Sequence, residues 1–304
     1  MIFKKGVLPV PLLEYLTYRL AFHSPNRTQN NIYNIPPGKQ YRSGRENMIR
    51  MIREFSEKPF ERVFITSRDG LRLSARYYHV RDGAPVAIAI HGYRATAVRD
   101  FCGGIQICFD AGQNVLLLDQ RSCGMSEGNA ITFGIKERYD CIDWIRYVLD
   151  RFGADTKIAL YGISMGAATV LMTSGLPELP EQVRCIVADS PYSSPEAIIE
   201  SVCGTLKLRC LMPALRRGAK RYADIDLASA SAVEAVRHAK VPILIIHGED
   251  DRFVPCGMSR EIAEACASGA ERHTFPGAAH GISFLKDKPR YMALATRFLN
   301  EHLG

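Results

Sequence analysis

The chain has 304 residues, 47% of them hydrophobic, and a formal charge of +7. That length suits one or two domains and buries a sizeable core without disulfides or a structural metal. Nine cysteines with no CxxC pair exclude a disulfide scaffold and a zinc ribbon, and point to reduced thiols in a cytoplasmic protein.

In chain order, Lys4 and Lys5 precede an apolar stretch, Val7 to Phe22, broken by Pro9 and Pro11 and interrupted by Glu14 and Arg19. It is too short and too charged to span a bilayer, and it lacks the small-residue cleavage site of a secretory signal. Leu12, Leu13, Leu16 and Leu20 recur at helical spacing, which predicts a short amphipathic helix. Its expected place is against the protein's own surface. The other fate is a weak membrane-surface contact through residues 7–22. Residues 24–44, rich in Asn, Pro and Gly, read as an extended arm. Met48–Ser56 reads as a short helix, so residues 1–60 form a helical and extended N-terminal arm.

From Glu61 a regular alternation begins. Val63–Thr66 and Leu71–Tyr78 read as strands joined by the Arg68-Asp69-Gly70 turn, an antiparallel hairpin. Then come short apolar runs at Val86–Ile90, Val115–Leu118, Ile158–Tyr161, Val183–Ala188 and Ile243–Ile246. Such runs suit strands covered by helices on both faces of a parallel sheet. Helical patterns fall between and after them, at about Val98–Ala111, Lys136–Arg151, Met165–Ser174, Gly257–Ser268 and Pro289–His302. Glu271–Phe275 is the expected last strand. This β-α-β repetition predicts a doubly wound α/β core, residues 61–193 and 240–304. Residues 194–239 carry no strand signal and read as a helical insertion. It begins at the carboxyl end of a strand, where open sheets bind ligands, so it is expected to act as a small cap that helps define a pocket. Its basic run, Arg209 to Arg221, is the densest in the chain and reads as a solvated face; nothing points to nucleic acid.

The sharpest chemical signal is Gly162-Ile163-Ser164-Met165-Gly166, which follows an apolar strand and opens a helix. That context is a nucleophile elbow. A serine on so tight a turn projects its hydroxyl, and the glycines leave room where side chains would collide. A serine hydroxyl needs a base, itself oriented by a third group. Asp251 and His280 follow Ser164 in loops after successive strands, in the Ser…Asp…His order of this arrangement. His91, His247 and His273 are the competing histidines, less well placed by chain order and loop position. Asp250 and Asp189 compete with Asp251 for the acid. An oxyanion needs two main-chain N–H donors. Met165, after the nucleophile, supplies one, and the His91-Gly92-Tyr93 loop the other, most naturally Tyr93.

Taken together, these segments resemble the α/β-hydrolase superfamily. They are His91-Gly92-Tyr93, Asp119 to Gly128, Gly162 to Gly166, Asp189-Ser190-Pro191-Tyr192, His247-Gly248-x-x-Asp251-x-x-Val254-Pro255 and His280. The likeness is to its small bacterial serine hydrolases, esterases and acyl-peptidase-like proteins, and covers Val63 to the C-terminus. It implies an α/β-hydrolase fold: a mostly parallel eight-stranded sheet flanked by helices, with a small helical cap insertion. It matches Asp251 to the family's acid, with Asp250 one place early. One departure is Ser122, which stands where the family's Asp-x-Arg-Gly motif has glycine. The implied chemistry is two-step acyl transfer from a small-molecule ester or thioester, without cofactor or metal. An acyl-peptidase or amidase would use the same three residues, and a binding protein that kept the fold without catalysis is the reading from another class.

Overall fold

The structure, a computed structural model, describes residues 10–25, 32–33, 35, 38–42 and 44–304. Lys4 and Lys5, the start of the apolar stretch at Val7 to Pro9, and much of the expected arm at 24–44 lie outside the described residues. Eight strands form one sheet: β1 (Glu61–Thr66), β2 (Arg72–Tyr78), β3 (Val86–Ile90), β4 (Asn114–Asp119), β5 (Ile158–Ile163), β6 (Val183–Asp189), β7 (Ile243–Gly248) and β8 (Ala270–Phe275). Their order is β1-β2-β4-β3-β5-β6-β7-β8. β2 runs antiparallel to β1 and β4, and every other pair is parallel.

The apolar runs have a direct cause. Every residue of β3 and β4 is buried. On β3, Val86, Ile88 and Ile90 enter one core, while Ala87 and Ala89 enter the other. A strand walled on both faces has no solvent side on which to alternate. β3 is also where the strand order reverses, since it pairs with β4 on one side and β5 on the other. The loops leaving β3 and β5 therefore diverge at one sheet edge, the place where open α/β sheets leave a crevice.

Helix Met165–Ser174 is buried along its whole length, enclosed by helices Glu137–Phe152 and Ala232–Val236. The single helix expected over Val98–Ala111 is instead two short ones, Ala97–Phe101 and Gln106–Asp110. The chain turns at the adjacent pair Gly103-Gly104, a helix-breaking signal, and Gly103 lies against the Phe284 ring, which a Cβ there would meet at 2.4 Å. Ser122, where glycine was the expected residue, takes the left-handed conformation itself, with φ 63°. Its hydroxyl donates to the Ala130 carbonyl at 3.0 Å and its amide to the Glu127 carbonyl, which offsets a backbone cost of about 1–2 kcal/mol.

Residues 194–239 are helical, chiefly Pro195–Thr205 and Met212–Gly218, the latter continued by a wider turn over Ala219–Ala223. Met212–Ala223 packs against α1 (Val10–Ala21). The orientation of α1 corrects the sequence expectation. Glu14, Thr17 and Tyr18 face inward, and Leu12, Leu16 and Leu20 face out. The Glu14 carboxylate lies 2.6 Å from Arg217 and 3.7 Å from Arg221. A Cβ on Gly218 would meet the Glu14 carbonyl at 2.5 Å. Ion pairing and this close backbone approach fix which side of α1 is buried. No helix among the described residues is long and apolar enough to cross a membrane.

Candidate active site

Ser164 sits between β5 and helix Met165–Ser174 with φ 57° and ψ −115°. That is a strained backbone for a residue with a side chain, and it is over-determined. The Ser164 amide donates to the Asp189 carbonyl at 2.7 Å, and the Ser164 carbonyl accepts from Ala168. The two flanking glycines have separate reasons. A Cβ on Gly162 would stand 2.3 Å from the Gly166 carbonyl oxygen, and one on Gly166 would stand 1.9 Å from that of Ile90. The elbow therefore closes only if both positions lack side chains.

His280 lies between Ser164 and Asp251. Its Nε2 is 2.9 Å from Ser164 Oγ and its Nδ1 2.6 Å from Asp251 Oδ2. The carboxylate can only accept, so Nδ1 carries the proton and Nε2 is left to accept the Ser164 hydroxyl proton. Asp251 is fully enclosed as a side chain. Burial alone would raise its carboxyl, but hydrogen bonds from His247 and His280 hold it well below the usual carboxylate range. Its other oxygen accepts the amides of Phe253 and Val254, at 2.9 and 2.8 Å. Asp251 is thus a fixed anion aimed at one imidazole nitrogen.

The rival residues have other partners. Asp250 is exposed. Asp189 is buried and accepts hydroxyl protons from Ser190 at 2.9 Å and Tyr291 at 3.1 Å. Burial raises its carboxyl, against those two hydrogen bonds. Ser190 Oγ also accepts from the Gly281 amide at 3.4 Å, so this cluster braces the loop that carries His280. His91 is buried; its Nδ1 donates to the Gly92 carbonyl and its Nε2 accepts from the Gln120 amide. Burial lowers its pKa, so it is a neutral loop pin. His247 Nε2 stands 3.0 Å from the Val254 carbonyl and 3.2 Å from Asp251 Oδ2, shaping the turn that carries the acid. His273 lies on β8 beside Glu271.

In the loop after β3 the Gly92 amide is already engaged, donating to Asp100 Oδ2 at 2.8 Å. Arg99 Nε donates to the other oxygen of Asp100 at 3.1 Å. With Gly92 turned aside, Tyr93 offers the next amide in the loop. The Tyr93 hydroxyl donates to the Ala21 carbonyl at 2.7 Å, tying that loop to the end of α1. Burial pushes this phenol up to about 12, so it stays a neutral donor. Met165 is the first residue of the following helix, where main-chain amides have no intrahelical partner.

A cavity of about 290 Å³ opens beside Ser164 and His280. Its walls include Tyr41, Met48, Tyr93, Ile163 and Phe253, and no residue of 194–239. The expected cap thus does not line this pocket; the N-terminal segment does. The Tyr41 hydroxyl donates to the His280 carbonyl at 3.1 Å, and the Phe253 ring centroid lies 5.2 Å from that of His280. Sequence reasoning passed over Asp100, Tyr41 and Met48, because none belongs to a motif and two precede the core in the chain. Phe253 had a signal, two residues beyond Asp251 in an acid-bearing loop. Among the described residues no cluster of three His, Cys, Asp or Glu side chains is placed to hold a metal ion.

The prolyl oligopeptidase family matches residues 127–304, and the X-Pro dipeptidyl-peptidase (S15) family matches residues 8–207. Among curated proteins, the chain is 23% identical over 236 residues to the uncharacterized protein YqkD of Bacillus subtilis, covering 73% of this chain and 74% of that one. It is 30% identical over 204 residues to human Protein ABHD12B, covering 61% of this chain and 51%, about half, of the human protein. Among solved structures, the Pyrococcus furiosus esterase Pf2001 superposes with a TM-score of 0.67 at 22% identity, covering 83% of this chain and 94% of that one.

Proposed function

The chain belongs to the α/β-hydrolase serine hydrolases, within the part of them that the prolyl oligopeptidase and X-Pro dipeptidyl-peptidase families describe, and on that premise we propose that it cleaves a carboxylic ester or thioester of a small acyl substrate. The observation that carries this reading is the position of His280, 2.9 Å from Ser164 Oγ and 2.6 Å from Asp251 Oδ2. In the proposed reaction, Ser164 Oγ attacks the carbonyl carbon as His280 Nε2 takes its proton. The main-chain N–H groups of Tyr93 and Met165 hold the oxyanion, an arrangement in which one donor is worth about 10²–10³ in rate. Asp251 stabilises the imidazolium and fixes the tautomer. Collapse expels the alkoxide or thiolate, which takes the proton from His280. Water, deprotonated by the same nitrogen, then attacks the acyl-enzyme and releases the acid with Ser164 restored.

Met48, Ile163 and Phe253 give the pocket apolar walls that suit an acyl group, beside the charged pair Arg99 and Asp100. The resemblance to an archaeal esterase agrees with an ester substrate. Nine free thiols among the cysteines support a cytoplasmic setting. A second reading, an acyl-peptidase or amidase with the same three residues, draws on the two peptidase families that match. One plate separates them: p-nitrophenyl esters of graded acyl length beside aminoacyl-anilides. The ester reading expects turnover of esters with little or none of anilides, and preferential anilide cleavage would overturn it.

A further inference from the structure

The helix α1 has its polarity reversed. Glu14, Thr17 and Tyr18 are buried, while Leu12, Leu16 and Leu20 stand 42%, 44% and 68% exposed, one below another at helical spacing. Val10 and Tyr15 add 55% and 41%. This is a built orientation. Glu14 is paired with Arg217 and Arg221 from the insertion, Tyr18 packs on Tyr222 and Phe22, and turning the leucines inward would break these contacts.

Scattered exposed leucines need no explanation, but a stripe on one face does. Its surroundings indicate what it meets. Arg19 is exposed on α1 itself. Arg217 and Arg221, each more than half exposed, flank the helix from the insertion. Arg94 stands at its far end, donating to the Leu20 and His23 carbonyls. Four arginines thus lie on α1 or beside it, and the two that pair with the buried Glu14 remain more than half exposed. An apolar helix face with arginines beside it is complementary to the headgroups and acyl boundary of an anionic bilayer. A second copy of the same surface would bring like charges together.

The stripe is also coupled to the pocket. The last turn of α1 rests on the loop after β3 through the Tyr93 hydroxyl and the Arg94 guanidinium, and Tyr93 lines the cavity beside Ser164. We propose that α1 docks the protein on an anionic phospholipid surface, placing the pocket where it meets acyl esters of amphiphiles held in that surface. The docking stands on α1 alone, and only the choice of substrate rests on the esterase reading above.

The test uses the full chain with the Ser164→Ala substitution, so that no lipid is consumed, and co-sedimentation with two kinds of vesicle. One is phosphatidylcholine alone, and the other contains about 30% phosphatidylglycerol. Binding is expected to the second at least about tenfold above the first, and to weaken with added salt. Leu16→Ser with Leu20→Ser should remove that binding while leaving the melting temperature and, in the Ser164 background, active-site probe labelling unchanged. Equal binding by the double variant, or no binding of the parent to anionic vesicles, overturns the proposal. So does a dimer in sedimentation velocity that the double variant dissolves without any vesicle binding, which would assign the stripe to a second copy. Failure of the esterase reading would show separately, as absent ester turnover or preferential anilide cleavage by the Ser164 protein with vesicle binding intact.

Discussion

Gly166 approaches Ile90 so closely that a Cβ on it would stand 1.9 Å from the Ile90 carbonyl oxygen. The obstacle is backbone of a central strand, so it cannot swing aside as a side chain could. Gly166→Ala is therefore expected to displace the elbow from β3, destabilising the fold by several kcal/mol, about 3–5 at the severe end of single substitutions. Ala168→Gly in the same helix serves as the mild comparison, costing about 1 kcal/mol. Urea unfolding measures both, and a Gly166→Ala variant as stable as the parent contradicts the packing described.

The carboxylates near His280 are expected to differ in kind. Asp251→Asn removes the fixed anion at Nδ1 and should lower kcat by up to about 10⁴, the cost of the wrong tautomer in a comparable triad. Asp189→Asn alters a cluster that braces the His280 loop from behind and should cost about tenfold or less, within the range of lost positioning. Asp250→Asn, at an exposed position, should leave kcat near the parent value. A large loss at Asp189 with a small one at Asp251 reverses the assignment.

Acid stability has a defined sign. Asp69 is raised by burial but more strongly lowered by its hydrogen bonds from Arg121 and Ser67, to about 2. A carboxyl that binds its proton more weakly in the folded state contributes stability that is complete above the unfolded value, near about 4, and is lost as pH falls through the folded value. The gap in unfolding free energy between the parent and Asp69→Asn should be constant above about pH 5 and narrow between about pH 4 and pH 2. A gap that widens on acidification has the wrong sign for this network.

The pocket walls make a specificity prediction. Met48→Trp should shift ester preference toward shorter acyl chains and Met48→Ala toward longer ones, by about tenfold in kcat/KM per step of chain length. Leu206→Ser, in the insertion and 60% exposed, should leave the profile unchanged. If the insertion variant shifts the profile and the Met48 variants do not, the pocket is bounded by the 194–239 segment instead.

How much of this was legible in the sequence depends on how local the cause is. The buried strands were readable because burial on both faces of β3 and β4 leaves a continuous apolar run. The elbow was readable because Gly162 and Gly166 record a steric need of their own turn. The break in the helix expected over Val98–Ala111 was legible in the adjacent Gly103-Gly104 pair; what no local pattern announces is that the Phe284 ring packs on Gly103. The leucines of α1 were assigned to the wrong side for the same kind of reason. The partner of Glu14 is Arg217, and no periodicity within residues 10–21 announces it. The pocket walls at Tyr41 and Met48 were illegible too, since the N-terminal segment reaches the site only through the tertiary fold. Of the side chains brought forward by chain order, His280 stands within hydrogen-bonding reach of both Ser164 and Asp251.

The central claim is that Ser164 is the nucleophile. The most direct measurement is fluorophosphonate labelling of the full chain, read by intact mass and peptide mapping, alongside p-nitrophenyl ester turnover. One probe adduct is expected, on Ser164, with turnover lost in step with labelling. Ser164→Ala should stay folded, take no probe and lose turnover by orders of magnitude, as removal of a triad member does. An adduct mapped to another residue, or a folded Ser164→Ala variant that still turns over ester at the parent rate, contradicts the account.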